Sequence, residues 1–98
     1  MKVPPKQIAD TIILWYTPVD ERHRQTGRCR HILGSVVAPG AAGVEIGERP
    51  HGAGFFLFSC GPAWSPITDT WHASIEEAKR QVEFEYEGVT ETWVEVPK

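Results

Sequence analysis

Four histidines, two cysteines and 13 carboxylates are the groups with which this 98-residue chain could do chemistry, and their spacing decides whether they do. Cys29-x-His31 would set two ligand-type side chains on one face of a strand, and His23 would return across a hairpin towards them. Zinc sites draw on paired short spacings of the C-x-x-C or H-x-x-x-H kind, whereas His51, Cys60 and His72 stand alone. No metal is therefore expected, and both cysteines read as small core hydrophobes. Ser59-Cys60-Gly61 lacks the flanking glycines of a nucleophile elbow. Asp69 and His72 fall on opposite faces of one strand, so they cannot share a proton and read as hydrogen-bonding groups beside a helix entrance. The glycines of residues 38–54 do not follow the phosphate-cradling pattern that ends in Gly-Lys-Ser/Thr. The expectation is a non-catalytic chain without a cofactor.

Binding is the chemistry left. Net charge is −3, but residues 1–44 hold six basic groups against three acidic ones, and residues 45–98 hold four against ten. The basic half concentrates in Arg22, Arg24, Arg28 and Arg30, which alternate in pairs and could meet phosphates or a carboxylate-rich surface. Asp20 and Glu21 beside them argue for a partly self-neutralised loop. The acidic half sets Phe84, Glu85 and Glu87 near the end of a helix and Trp93 and Glu95 on a following strand, where aromatics among carboxylates suit a cationic partner. Trp64, in the turn Gly61-Pro-Ala-Trp-Ser-Pro66, is a sixth candidate contact, whereas Trp15 and Trp71 are assigned to the core.

The elements that must carry these residues follow from patterning. Ile8–Tyr16 reads as a strand buried on both sides near Ile12–Trp15, and Arg28–Val37 as its antiparallel hairpin partner. Residues 38–54, with five glycines and two prolines, read as a mobile loop holding at most a short bridge at Val44-Glu-Ile46. Phe55–Phe58 and Ile67–His72 are two further strands. Ser74-x-x-Glu77 is a capping box that opens a helix whose apolar stripe is Ile75, Ala78, Val82 and Tyr86, with Gly88 as its stop. Thr90–Val96 alternates as a last strand. The class is α+β, a single domain over 1–98: an antiparallel sheet of about five strands with one helix on one face, in the order β-β-β-β-α-β. No leader or membrane-spanning run is visible, since Ile12–Tyr16 is far shorter than a bilayer crossing, and a cytoplasmic, bacterial-type chain with reduced thiols is expected.

The segment Asp69-Thr-Trp-His72, Glu76-Glu-Ala-Lys79 and Phe84-Glu-Tyr86 resembles the C-terminal part of small bacterial proteins that share D-T-W-H…E-E-A-K…F-E-Y over roughly residues 55–96. It is more distantly similar to HicB-type antitoxin domains, although their glycine–cysteine turn is lacking. The resemblance implies an α+β fold and, through the antitoxins, capture of a small protein partner. The expected function is a protein-binding domain, antitoxin- or immunity-like. The alternative is a nucleic-acid accessory module acting through the arginines. An exposed edge strand would also favour a homodimer.

Overall fold

Thr11-Ile-Ile-Leu-Trp-Tyr-Thr-Pro18 is dense in β-branched and aromatic side chains and forms the longest strand, β2 (Thr11–Pro18). The computed structural model describes residues 3–26, 32–33, 36–37, 41–50 and 52–97. Before β2 lies β1 (Gln7–Ile8); after it come β3 (Arg24–Gln25), β4 (Ile32–Leu33), β5 (Val36–Val37), β6 (Gly43–Glu48), β7 (Phe55–Cys60) and β8 (Pro66–His72). Helix α1 (Ile75–Glu85), β9 (Tyr86–Glu87), a 3-10 turn (Val89–Glu91) and β10 (Val94–Glu95) follow. The fold is α+β: a curled antiparallel sheet ordered β1-β2-β6-β7-β8, with β10 also on β2 and α1 against one face. Two small antiparallel pairs, β3–β9 and β4–β5, lie apart from that sheet.

The glycine-rich stretch contains the sheet's central strand. In β6 every residue from Gly43 to Gly47 is buried, so the segment expected as a loop holds an element with neighbours on both sides. Val44 and Ile46 face the helix and share a core with Leu57, Ala78, Val82, Tyr86 and Val89. Gly43, Glu45 and Gly47 face the other way, where Ile13, Phe58, Cys60 and Trp64 form a second cluster. Both glycines are required by close approach. A Cβ on Gly43 would overlap the Trp64 ring, and one on Gly47 would fall 2.6 Å from the Ile12 carbonyl oxygen.

Strand β2 pairs with β6 rather than with the arginine-bearing segment that patterning predicts. Its register passes from Ile13↔Gly47 to Trp15↔Ile46, so Leu14 is an extra residue, a bulge. The slip turns Ile13 and Trp15 to opposite faces, although two residues apart in a regular strand would share one. Ile12, expected inside, is exposed. Residues 32–33 pair with 36–37, so the long second strand expected over Arg28–Val37 is a tight local hairpin where described. The expected strand Thr90–Val96 reduces to β10, because Gly88 (φ 91°) opens a 3-10 turn first.

The helix begins where the capping box places it. Ser74 Oγ accepts from the Glu77 amide at 3.0 Å, while the Glu77 carboxylate accepts from the Ala73 amide at 2.8 Å, one residue further back than the usual box. Replacing Ser74 by Ala removes that cap and is expected to lower stability by about 1 kcal/mol. Gly43→Ala forces a rigid buried indole to move and should lower stability by roughly 1–3 kcal/mol. Urea midpoints of both variants check these values, and a neutral Gly43→Ala would mean that the ring is not seated on the strand.

Candidate functional site

The charged loop after β2 neutralises itself. The Arg22 guanidinium donates from Nε and Nη2 to the two Asp20 carboxylate oxygens at 3.0 and 2.9 Å, which holds the Asp20 carboxyl down at about 2. Arg24 lies opposite Glu87 in the β3–β9 ladder, so a basic and an acidic candidate meet within one molecule. Arg28 and Arg30, like Cys29, His31 and His51, lie outside the described residues. The His23 side chain is fully covered. Its Nδ1 accepts from the Asp20 amide at 3.0 Å, so Nε2 carries the proton and donates to Thr92 Oγ1 at 2.9 Å. Thr92 in turn lies 2.6 Å from Thr17 Oγ1, tying the loop to the 3-10 turn.

The tryptophans exchange their expected roles. Trp64 is 4% exposed and meets Tyr16 edge-on, with ring centroids 5.6 Å apart, so it is a core residue. Trp71, assigned to the core, is 55% exposed; its ring lies against Gly54 and its Nε1 donates to the Ala53 carbonyl at 2.9 Å. The reason is the turn before β8: Ala63 (φ 69°) and Trp64 (φ 61°) both take left-handed backbone, which throws the Trp64 ring back onto Gly43. Such conformations cost roughly 1–3 kcal/mol each in non-glycine residues, offset here by burial of the indole.

Among the acidic candidates, Phe84 is 44% exposed and Glu87 and Glu95 are exposed, as a contact surface requires. Glu85 is not: it is 5% exposed on the last helical turn, with Gln81 Nε2 at 3.4 Å from its carboxylate. Trp93 is half-buried against the helix-side core, and its buried Nε1 has no acceptor. His72 bonds Thr70 at 2.8 Å and lies 3.7 Å from Glu77, at the helix entrance, while Asp69 stands opposite Phe58 on the other face. Among the described residues no group of three or more His, Cys, Asp or Glu could hold a metal ion. Among them, too, no helix is long and apolar enough to cross a membrane.

What the fold does assemble is a groove that no single stretch of sequence contains. Leu14, Trp15, Phe55, Ile75, Val96 and Pro97 line a depression of about 460 Å³, edged by the carboxylates of Glu48 and Glu95. The register sets Glu95 opposite Trp15, and the bulge at Leu14 turns that ring into the groove. Lys79 Nζ lies 3.3 Å from the Trp15 ring centroid and 5.6 Å from that of Trp93, a cation–π contact made within the chain. Neither Glu48 nor Glu95 has an ion-pair partner among the described residues. Glu48, Trp15 and Phe55 were not legible as site residues, because they come from three strands whose pairing composition does not reveal.

A second feature lies across the sheet. Glu45 is 0% exposed, and neither of its carboxylate oxygens has a hydrogen-bond partner. Tyr16 and Phe58 are its register partners on either side. Removal from water disfavours the charged form and pushes the carboxyl up to about 7, and the same burial, with the Glu45 charge nearby, pushes the Cys60 thiol up to about 12. Comparison with family models, curated proteins and solved structures finds no match to the chain.

Because the folded state binds the Glu45 proton more tightly than the unfolded state, this stabilisation is present below the ordinary value near 4.5 and is lost as pH rises through about 7. Glu45→Gln, which carries no charge to bury, should match wild type at pH 4 and exceed it by roughly 1–3 kcal/mol at pH 8. Urea unfolding at the two pH values gives the comparison. Equal curves at pH 8 would mean that Glu45 is satisfied in solution.

Proposed function

We propose that this chain is a small, non-catalytic protein-binding domain, antitoxin- or immunity-like in role, which covers a basic site on a partner protein. The observation that carries the reading is the groove: an aromatic and aliphatic floor edged by two carboxylates that no cation neutralises among the described residues. A lysine or arginine side chain matches both parts, since its methylene stem packs on Trp15, Phe55 and Ile75 while its charged head reaches Glu48 or Glu95. Lys79 on Trp15 is the same chemistry within the chain. Phe84 and Glu87 are also exposed, at the C-terminal end of the helix. Binding through the arginine loop is the weaker reading, because Asp20 already takes the Nε and Nη2 donors of Arg22 and offsets its charge, and Glu87 stands opposite Arg24.

The reading expects a lysine- and arginine-rich peptide to bind the wild-type chain in the micromolar range, with affinity falling as salt rises. The double charge reversal Glu48→Lys with Glu95→Lys should weaken it at least tenfold while leaving the unfolding midpoint close to wild type. Isothermal titration with that peptide, an acidic peptide and a single-stranded oligonucleotide separates the outcomes. Binding of the oligonucleotide alone, or of none of the three, would overturn the proposal.

A further inference from the structure

The outer face of the sheet holds an arrangement that peptide binding does not use. Glu45 sits at the middle of the central strand, held by ladders to β2 and β7, with both carboxylate oxygens buried and unpartnered. One position along the same strand face, Gly43 makes room for the Trp64 ring. That ring is delivered by a turn in which Gly61 N donates to Ser65 O at 2.8 Å and Trp64 N to Gly61 O at 3.1 Å, with two successive left-handed non-glycine residues inside it. Beyond the ring lies a hollow of about 260 Å³ lined by Tyr16, Pro18, Arg22, Thr92 and Val94.

We propose that Glu45 and Trp64 form a proton-operated latch: the neutral carboxyl lets Trp64 close over the outer face, and release of its proton to solvent swings the Trp64 turn outward so that water reaches the carboxylate. Among the described residues, the titratable groups of the sheet on the same face are Tyr16 on β2, Cys60 on β7 and Asp69 on β8, none of them a cation. Arg49, at the Gly47 end, stacks on Phe56 at 4.1 Å and pairs with Asp10, and Arg22 is engaged by Asp20. The N- and C-terminal segments contribute the apolar Ile8 and Val96 to this cluster, and their charged groups Lys6 and Glu95 line a hollow beside Tyr16 without an ion pair or hydrogen bond to Glu45. An ionised Glu45 must therefore find water, since an unpaired buried charge is not sustained. The sheet cannot open without breaking two ladders, whereas movement of the turn gives up the packing of the indole but relieves the backbone strain at Ala63 and Trp64.

The test uses the full chain labelled with 5-fluorotryptophan, with the Trp64 fluorine resonance assigned through Trp64→Phe. Between pH 5 and 9 that resonance should shift with a midpoint near 7, and its broadening by a soluble gadolinium probe should rise several-fold, while Trp71 stays unchanged. In Glu45→Gln the Trp64 signal should remain closed at every pH. In parallel, the side-chain carboxyl carbon of Glu45 in glutamate-labelled wild type should titrate at the same midpoint, which keeps the test decisive if the variant does not fold. A Trp64 signal that ignores pH, a titration that survives in Glu45→Gln, or two different midpoints would each overturn the latch.

Discussion

Burial of β6 on both faces is the constraint from which the remaining architecture follows. A strand with Val44 and Ile46 on one side and Gly43, Glu45 and Gly47 on the other needs a cover for each. Helix α1 supplies the first through Ala78 and Val82, fully buried in one turn-spaced stripe. The second cannot come from another helix, since none is described, and the Trp64 turn takes its place. Two glycines allow this: without them neither the indole nor the β2 backbone could approach so closely. The curl of the sheet and the bulge at Leu14 accompany that approach, because β2 must bend where it passes Gly47.

Charge is arranged in a way that the overall balance conceals. The basic N-terminal half and the acidic C-terminal half are joined through β3–β9, where Arg24 lies opposite Glu87, and through the His23–Thr92–Thr17 chain of hydrogen bonds. Arg22 and Asp20 close a pair of their own. An exposed pair of this kind adds little stability, commonly under about 1 kcal/mol, but it removes Arg22 from the set of free cations. Carboxylates, in contrast, are left over. Glu48 and Glu95 stand at an apolar groove, and Glu45 stands inside the sheet, so the acidic excess is divided between a surface that can attract cations and an interior where burial opposes ionisation.

Several residues illustrate how far local patterning reaches. Ser74 and Glu77 define the helix start within four residues: the Ser74 cap forms as the spacing implies, while the Glu77 carboxylate reaches past it to the Ala73 amide. Asp69 and His72 lie on opposite faces because strand periodicity requires it. Phe84 is exposed because the 100° helical step puts it away from Ala78 and Val82. Patterning fails where an apolar surface comes from elsewhere in the chain. Glu85 is buried because it stands seven residues after Ala78 and three after Val82, on the covered face of the helix, so its residue type misleads where its spacing does not. The tryptophan in a proline-rich turn is buried and the one in a strand is exposed, since the first is carried back over Gly43 and the second lies on β8, which among the described residues pairs only with β7.

Local spacing encodes an α+β chain, one capped helix and the strand-forming runs around Ile13, Leu57 and Thr70, and it contains no histidine–cysteine pattern suited to zinc. These depend on interactions between residues within about a helical turn or one strand, and such interactions are written in neighbouring letters. Only the tertiary structure decided that a glycine-rich segment is the central strand, that β2 pairs with it, and that Trp15, Phe55, Glu48 and Glu95 share a groove. Strand pairing and face burial depend on which distant surfaces close on one another. A glycine beside a tryptophan twenty-one residues away reads as a loop until the two are seen in contact.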